Sequence, residues 1–220
     1  MPSKYYQRNF QPGHFYHIFN RGSHKQNVFL DKQDHQVFTK ILSYYLIDPT
    51  GRPLHYTKRT KYVVPNHEQT VYLTTYCLMP NHFHLLLKQV SPTSQDGITN
   101  LMRRVSIAYS MYFNNKHNHS GNLFQGKYKQ VHIETDEQLL YLSKYIHLNP
   151  NKRGSEPLQN YQYSSYPVFI DQSPTPKWLH SEEILKLDYY KNSKNPQKDY
   201  QKFILDSKPL LKSISPLTLE

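Results

Sequence analysis

Cysteine is nearly absent from this sequence, since Cys77 is the only one among 220 residues. A single thiol excludes an internal disulfide and a zinc site built from several cysteines. Long apolar runs are missing as well. No stretch approaches the ~20 residues of a membrane span, and the N-terminal segment MPSKYYQRNF lacks the apolar region of a secretory signal. We therefore expect a soluble, cytoplasmic protein without a membrane partner.

Acidic residues are also scarce, with 16 Asp and Glu against 27 Lys and Arg and a net charge of +11. A basic surface attracts polyanions, and nucleic acid comes first among them, although a basic surface without any such partner is the alternative. The 20 Tyr and 10 Phe residues favour nucleic acid. Unpaired bases stack on aromatic rings while Lys and Arg hold phosphates, so single strands are the expected partner.

The residues before position 70 indicate one strand and one helix. Residues 14–20 (HFYHIFN) favour a strand between two glycines. A helix should begin after Asp31, a candidate N-cap, because apolar residues follow at helical spacing: Val37, Phe38, Ile41, Leu42 and Tyr45. Residues 51–69 are basic and contain two prolines, which indicates a long loop or a small additional hairpin.

The middle of the chain indicates a hairpin, two helices and a further strand. Residues 71–78 and 82–88 favour paired strands, residues 98–114 a helix, and residues 123–134 a short extended segment. The third helix should open with Thr135 and Gln138 in a capping box. It should end at Pro150, which disfavours helical geometry at Asn149. This order predicts an α+β fold, an antiparallel sheet with helices of the ferredoxin type.

The segment His82-Phe83-His84 is the first candidate site. Residues two apart in a strand point to the same face, so both imidazoles can share one metal ion while Phe83, Leu85 and Leu87 seat the strand on the core. A pair of partly buried, hydrogen-bonded histidines is the structural alternative.

The end of the third helix is the second candidate site. Tyr145 and Asn149 are four residues apart and therefore lie on one face of the helix. The tyrosine could present its hydroxyl beside a metal, and the amide oxygen could be a ligand. The alternatives are a core tyrosine and an ordinary helix stop before proline.

Three segments occur in order along the chain: CLMPNHFHLLL at 77–87, GNLFQGKYK at 121–129 and YIHLNPNKRG at 145–154. Together they resemble the REP-associated tyrosine transposases, bacterial relatives of the small single-strand transposases with one catalytic tyrosine. NRG at 20–22 and YSSY at 163–166 are similar to further pieces of that pattern. The resemblance implies a ferredoxin-like HUH fold. It also implies a bacterial, nucleoid-associated enzyme that cuts and rejoins single-stranded DNA beside hairpins of palindromic repeats.

The resemblance also implies roles for individual residues. His82 and His84 would be the HUH pair, Tyr145 the nucleophile that forms a 5′-phosphotyrosine, and Asn149 the third ligand of Mg2+ or Mn2+, at a position that is often Gln in the wider group. Independently of the resemblance, nearby cations such as Lys144, Lys152 and Arg153, or the metal itself, would favour the phenolate of the tyrosine. The DNA contacts would come from a basic and aromatic set: Arg103, Arg104, Phe124, Lys127, Tyr128, Lys129, Lys152 and Arg153.

Two other functions stay open at this point. A domesticated, non-catalytic protein could bind the hairpin alone, and a different HUH nuclease, such as a replication initiator or relaxase, could use the same residues. Residues 1–170 are expected to form the catalytic domain, and residues 171–220 a partly helical extension of unknown function. A homodimer is as compatible with the sequence as a monomer.

Overall fold

The computed structural model describes residues 9–48, 69–92, 97–153 and 157–206. Within these ranges, four strands form one sheet in the order β2-β3-β1-β4, and every neighbouring pair is antiparallel. The strands are β1 (Phe15–Arg21), β2 (Val71–Met79), β3 (His82–Gln89) and β4 (Lys129–Ile133). This sheet order, with helices after β1 and β3, confirms the predicted antiparallel α+β fold of the ferredoxin type.

Six α-helices accompany the sheet in the described ranges: α1 (Lys32–Ile47), α2 (Ile98–His117), α3 (Asp136–Leu148), α4 (Tyr166–Phe169), α5 (Glu182–Leu185) and α6 (Pro196–Leu205). The predicted caps are present, because the side chain of Asp31 accepts from the Asp34 N–H and that of Thr135 from the Gln138 N–H. Gln138 in turn accepts from the Glu134 N–H. None of the helices in this part of the chain has the length and apolar character needed to cross a membrane.

The sheet separates two apolar cores. Phe83, Leu85 and Leu87 face the core that includes buried residues of α1 and α2, as the alternation of β3 predicts. Leu86 faces the opposite core, which includes Tyr145 of α3 and buried residues of α6. His82 and His84 share the strand face of Leu86 and therefore point toward α3.

The described part of the 171–220 segment packs against α3 through buried polar contacts. The Nζ of Lys144 donates to the carbonyl oxygens of Phe203 at 2.7 Å and Asp206 at 2.8 Å. Tyr200 donates to Ser143 Oγ at 3.0 Å, and its hydroxyl lies 2.8 Å from Nδ1 of His147. Burial lowers the pKa of His147 to about 3, so this imidazole is neutral at pH 7. The boundary at residue 170 stays a prediction, and the insert predicted at 51–69 falls outside the described residues except for Gln69.

Asp34 joins the start of α1 to the end of α2. Its buried carboxylate accepts from the Leu30 N–H, from Tyr112 and from Lys116 Nζ at 2.8 Å, and it lies 3.1 Å from Nε2 of His117. Burial alone would raise the pKa of Asp34, but these hydrogen bonds outweigh it and lower the pKa to about 2. The two helices on this side of the sheet are therefore joined by a buried charged cluster.

Candidate active site

His82 and His84 lie side by side at the start of β3. Their ring centroids are 5.0 Å apart, the ring planes are nearly perpendicular, and both side chains are buried. The sequence prediction that the two imidazoles share one strand face is therefore met. Their role as metal ligands remains a prediction.

Each of these two rings is oriented by a hydrogen bond at its Nδ1 atom. Nδ1 of His82 lies 2.7 Å from Oδ1 of Asn81, whose Nδ2 donates to the carbonyl of Lys25. Nδ1 of His82 is therefore the protonated nitrogen, and Nε2 carries the lone pair. Nδ1 of His84 lies 2.9 Å from Nε2 of His17, a fully buried residue of β1. Metal-binding histidines commonly donate one ring N–H to such a partner and present the other nitrogen to the ion.

Tyr145 of α3 lies against two histidines of the sheet, His84 of β3 and His17 of β1. Its ring centroid is 5.5 Å from that of His84 and 6.4 Å from that of His17, with both contacts edge-on. The Tyr145 side chain belongs to the core on this side of the sheet and is 2% exposed. Tyr141, one turn earlier, packs edge-on against Phe203 of α6 at 5.2 Å. Of these two tyrosines, the structure brings Tyr145 to the histidines.

Asn149 follows the last residue of α3 and is buried. Its Nδ2 donates to the carbonyl oxygen of Tyr145 at 3.0 Å, so its Oδ1 is the atom that could bind a metal. The expectation that Pro150 disfavours helical geometry at Asn149 is wrong, because φ is −53° and ψ is −42°. The chain continues into a 3-10 turn, Pro150–Arg153, and proline is tolerated in the first turn of a helical segment.

The expectation that Lys144 favours the phenolate of Tyr145 is also wrong. Adjacent residues of a helix point about 100° apart, and Lys144 reaches α6 while Tyr145 reaches the sheet. The Lys144 ammonium caps the carboxyl end of α6, where it interacts favourably with the helix dipole. The side chains of Lys152 and Arg153 lie outside the described residues.

The donor set of His82, His84 and Asn149 fits a divalent metal ion. Each imidazole has its Nδ1 engaged by a neighbouring residue, and the amide of Asn149 is turned with its nitrogen toward the protein backbone. In the described residues, no group of three His, Cys, Asp or Glu is placed to hold an ion. A third ligand for an ion at the histidine pair would therefore come from another residue type, and an amide oxygen such as Oδ1 of Asn149 is one that Mg2+ or Mn2+ accepts.

A groove of about 610 Å³ lies on the other side of the sheet, between α2 and the loop that leads into β4. Its walls are partly apolar: Ile107 and Met111 of α2 are 51% and 62% exposed. Polar and basic side chains also line it, among them Arg103, Ser106 and Lys127. A surface of this composition can contact both bases and phosphates.

The residues predicted to bind DNA are not all in this groove. Arg103, Phe124, Lys127 and Tyr128 line it, although Phe124 and Tyr128 are each only 7% exposed and form its wall. Arg104 lies over the ring of Tyr45 at 5.3 Å, on a different face of α2. Lys129 is in β4, opposite Phe19.

Two further residues, His17 and Arg21, lie beside the histidines. In the sequence alone, His17 is recognisable only as part of a strand and Arg21 only as part of the NRG segment. Arg21 is the register partner of His82, and His17 lies diagonally across from His84, two residues from the partner Phe19. Strand alternation indicates that His17, Phe19 and Arg21 share one face. Only the pairing of β1 with β3 identifies that face as the one of the histidines.

Comparison with known proteins agrees with this fold. Residues 55–149, which include His82, His84, Tyr145 and Asn149, match the family described as IS200-like transposase. The chain is similar to the IS200-like transposases. Among solved structures, the REP-associated tyrosine transposase bound to a REP hairpin matches with a TM-score of 0.55 and 14% identity, over 78% of this chain and 87% of that one. A search of the curated proteins gives no match.

Both findings agree with the resemblance inferred from the motifs. The IS200-like transposase match covers the strand pair that carries the histidines and the helix that carries the tyrosine. The structural match, at its low identity, shows that the fold is that of the REP-associated tyrosine transposase. The expected family resemblance and fold class are therefore confirmed.

Proposed function

We propose that this protein is a transposase-type nuclease that cuts and rejoins single-stranded DNA beside a hairpin, with Tyr145 as the nucleophile. The observation that carries the proposal is the contact of the Tyr145 ring with His84, beside His82, in the residues that match the IS200-like transposases. A nucleophilic hydroxyl beside oriented imidazoles is the arrangement expected for phosphodiester transfer.

The proposed reaction keeps the bond energy in a covalent intermediate. The hydroxyl oxygen of Tyr145 forms a bond to phosphorus, and the bond from phosphorus to the 3′ oxygen breaks. The phenol gives up its proton and the departing 3′ oxygen takes one up, which leaves a 5′-phosphotyrosine and a free 3′-hydroxyl. Attack of a 3′-hydroxyl on the phosphotyrosine then reverses the exchange, so DNA is rejoined without a nucleotide cofactor.

We propose that His82, His84 and Asn149 hold Mg2+ or Mn2+. A bound divalent ion would neutralise the charge that develops on the phosphate. The protein's own contribution is to fix the donor atoms: Asn81 orients the ring of His82, His17 that of His84, and the backbone carbonyl of Tyr145 orients Asn149. The last contact also ties the third ligand to the residue that carries the nucleophile.

We propose a DNA hairpin with single-stranded flanks as the substrate. The net charge of +11 favours binding to the phosphate backbone, and the similar solved transposase is bound to a REP hairpin. The groove beside α2 would hold an unpaired strand, because Ile107 and Met111 offer apolar surface to bases while Arg103 and Lys127 offer cations to phosphates.

A covalent-capture assay tests this proposal. Wild-type protein is incubated with a panel of end-labelled single strands, each with a palindromic hairpin and unpaired flanks, in the presence of Mg2+ or Mn2+. A labelled band that survives denaturation and depends on the metal is the expected result. Binding of the hairpins without an adduct, or the same adduct in excess EDTA, would overturn the proposal. The first outcome would favour the non-catalytic hairpin-binding protein.

A further inference from the structure

Arg21 is placed at the histidine pair by the register of the sheet. It is the last residue of β1, and its Cα partner in β3 is His82. Directly paired residues of antiparallel strands project to the same face, so the side chain of Arg21 belongs to the side of the sheet that carries His82 and His84.

The backbone on both sides of Arg21 is fixed. Its N–H donates to Oδ1 of Asn20 at 2.9 Å, and its carbonyl accepts from the Gln125 N–H at 2.8 Å. The N–H of the next residue, Gly22, donates a hydrogen bond to the carbonyl oxygen of Asn81. A Cβ atom at Gly22 would overlap the carbonyl oxygen of Gln26. The base of the Arg21 side chain is therefore held in one place beside His82.

The Nε atom of Arg21 lacks the protein partner that its burial calls for. It makes no hydrogen bond within the described ranges, where no carboxylate forms an ion pair with Arg21 either. A buried charged donor without an acceptor is costly, and an oxygen of a bound ligand would satisfy it. Guanidinium groups match the paired oxygens of phosphate in two parallel hydrogen bonds.

Arg21 also adjoins a residue of the groove. The preceding residue, Asn20, lines the groove, and consecutive strand residues point to opposite faces. The end of β1 therefore presents Asn20 to the groove and Arg21 to the side of the histidines. We propose that Arg21 binds the phosphate that Tyr145 attacks. This inference rests on the proposed function, and it adds a substrate-contacting residue to it.

The test compares wild-type protein with Arg21→Gln. The control is Lys40→Gln, which removes one positive charge at an exposed position of α1. Arg21→Gln should slow adduct formation by about 100-fold, as removal of one charge-stabilising donor typically does. The slope of log affinity for the hairpin against log salt should also fall by about 1. Lys40→Gln should change neither, and urea unfolding should show that all three proteins are folded.

A neutral substrate separates a phosphate contact from a structural effect. With a methylphosphonate at the mapped cleavage position, the charge that Arg21 would meet is removed, so wild-type and Arg21→Gln proteins should react at similar rates. An unchanged rate and salt slope for Arg21→Gln would overturn the role of Arg21 and leave the proposed function standing. If the wild-type protein formed no adduct, the proposed function would be overturned. The salt slope of Arg21→Gln would then show by itself whether Arg21 contacts a phosphate.

Discussion

Nε2 of His17 in β1 lies 2.9 Å from Nδ1 of His84 in β3, and the two rings are stacked 5.0 Å apart. This contact crosses the sheet diagonally and is fully buried. When Nδ1 of His84 carries the proton and donates to His17, Nε2 of His84 carries the lone pair that a metal requires. With this direction of the hydrogen bond, His84 is in the form that can bind an ion.

Replacing His17 should weaken metal binding while the fold persists. In His17→Phe the ring volume is kept but the acceptor is lost, so we expect the affinity for Mn2+ to fall by about 10- to 100-fold, the usual cost of losing an outer-shell partner. His17→Gln, which can still accept a hydrogen bond, should recover part of the loss. Titration calorimetry with Mn2+ measures this, and His132→Gln, at an exposed position of β4, is the control. Equal affinity in His17→Phe and wild type would contradict the role.

Tyr145→Phe should abolish the covalent adduct and retain hairpin binding. The change removes one hydroxyl and leaves the ring in contact with His84 and His17, so packing is preserved. Tyr141→Phe is the matched control, since Tyr141 contacts α6 and not the histidines. Cleavage assays, with peptide mapping of any DNA-bound fragment, measure the outcome. An adduct on another tyrosine, or one that survives in Tyr145→Phe, would refute the assignment.

Lys127→Ala should weaken hairpin binding with a signature of phosphate contact. Lys127 is exposed at the rim of the groove, so its loss should reduce the slope of log affinity against log salt by about 1. Lys202→Ala on α6 is the control, because that side chain is 81% exposed and pairs with Asp199. Fluorescence anisotropy over a series of salt concentrations gives both slopes. An unchanged slope for Lys127→Ala would show that DNA does not follow the groove.

Asp34→Asn should destabilise the protein at neutral pH and much less in acid. The pKa of Asp34 is about 2 in the folded protein, below the ~3.9 of an unfolded aspartate. A lowered pKa stabilises the fold above the unfolded value and loses that contribution as pH falls from about 4 to about 2. The lowered pKa contributes about 2–3 kcal/mol to the free energy of unfolding at pH 7. Urea unfolding of both proteins at several pH values measures it, and a gap that stays constant down to pH 2 would contradict the assignment.

Tyr200→Phe should destabilise the fold through α3. The hydroxyl of Tyr200 contacts both Ser143 and His147 in a buried network, so its removal leaves two polar groups without that partner. A loss of about 1–3 kcal/mol in the free energy of unfolding is expected. Tyr189→Phe is the control because that ring is 64% exposed. Equal unfolding midpoints for Tyr200→Phe and wild type would show that the extension contributes little to holding α3.

The sequence predicted the elements that have strong local signals. The caps at Asp31 and Thr135 and the alternation of β3 were recognisable because each depends on residues within one turn or one strand. His17 and Arg21 were missed because their importance depends on the pairing of β1 with β3, more than 60 residues away. The partners of Lys144, Phe203 and Asp206, could not be predicted because they lie 59 and 62 residues further along the chain. Long-range pairing, not local propensity, decided these cases.

The seven residues of β1 have a further consequence for how this protein can evolve. Because side chains alternate along the strand, Asn20 faces the groove, whereas His17 and Arg21 face Tyr145 on the other side of the sheet. Insertion or deletion of a single residue in β1 would move side chains of the strand to the opposite face of the sheet. Both the groove and the surface around Tyr145 would then be disrupted at once. Substitutions in the groove, by contrast, leave the other face untouched. On the proposed function, new hairpin preferences should therefore arise by point substitution in lineages where the length of β1 is invariant.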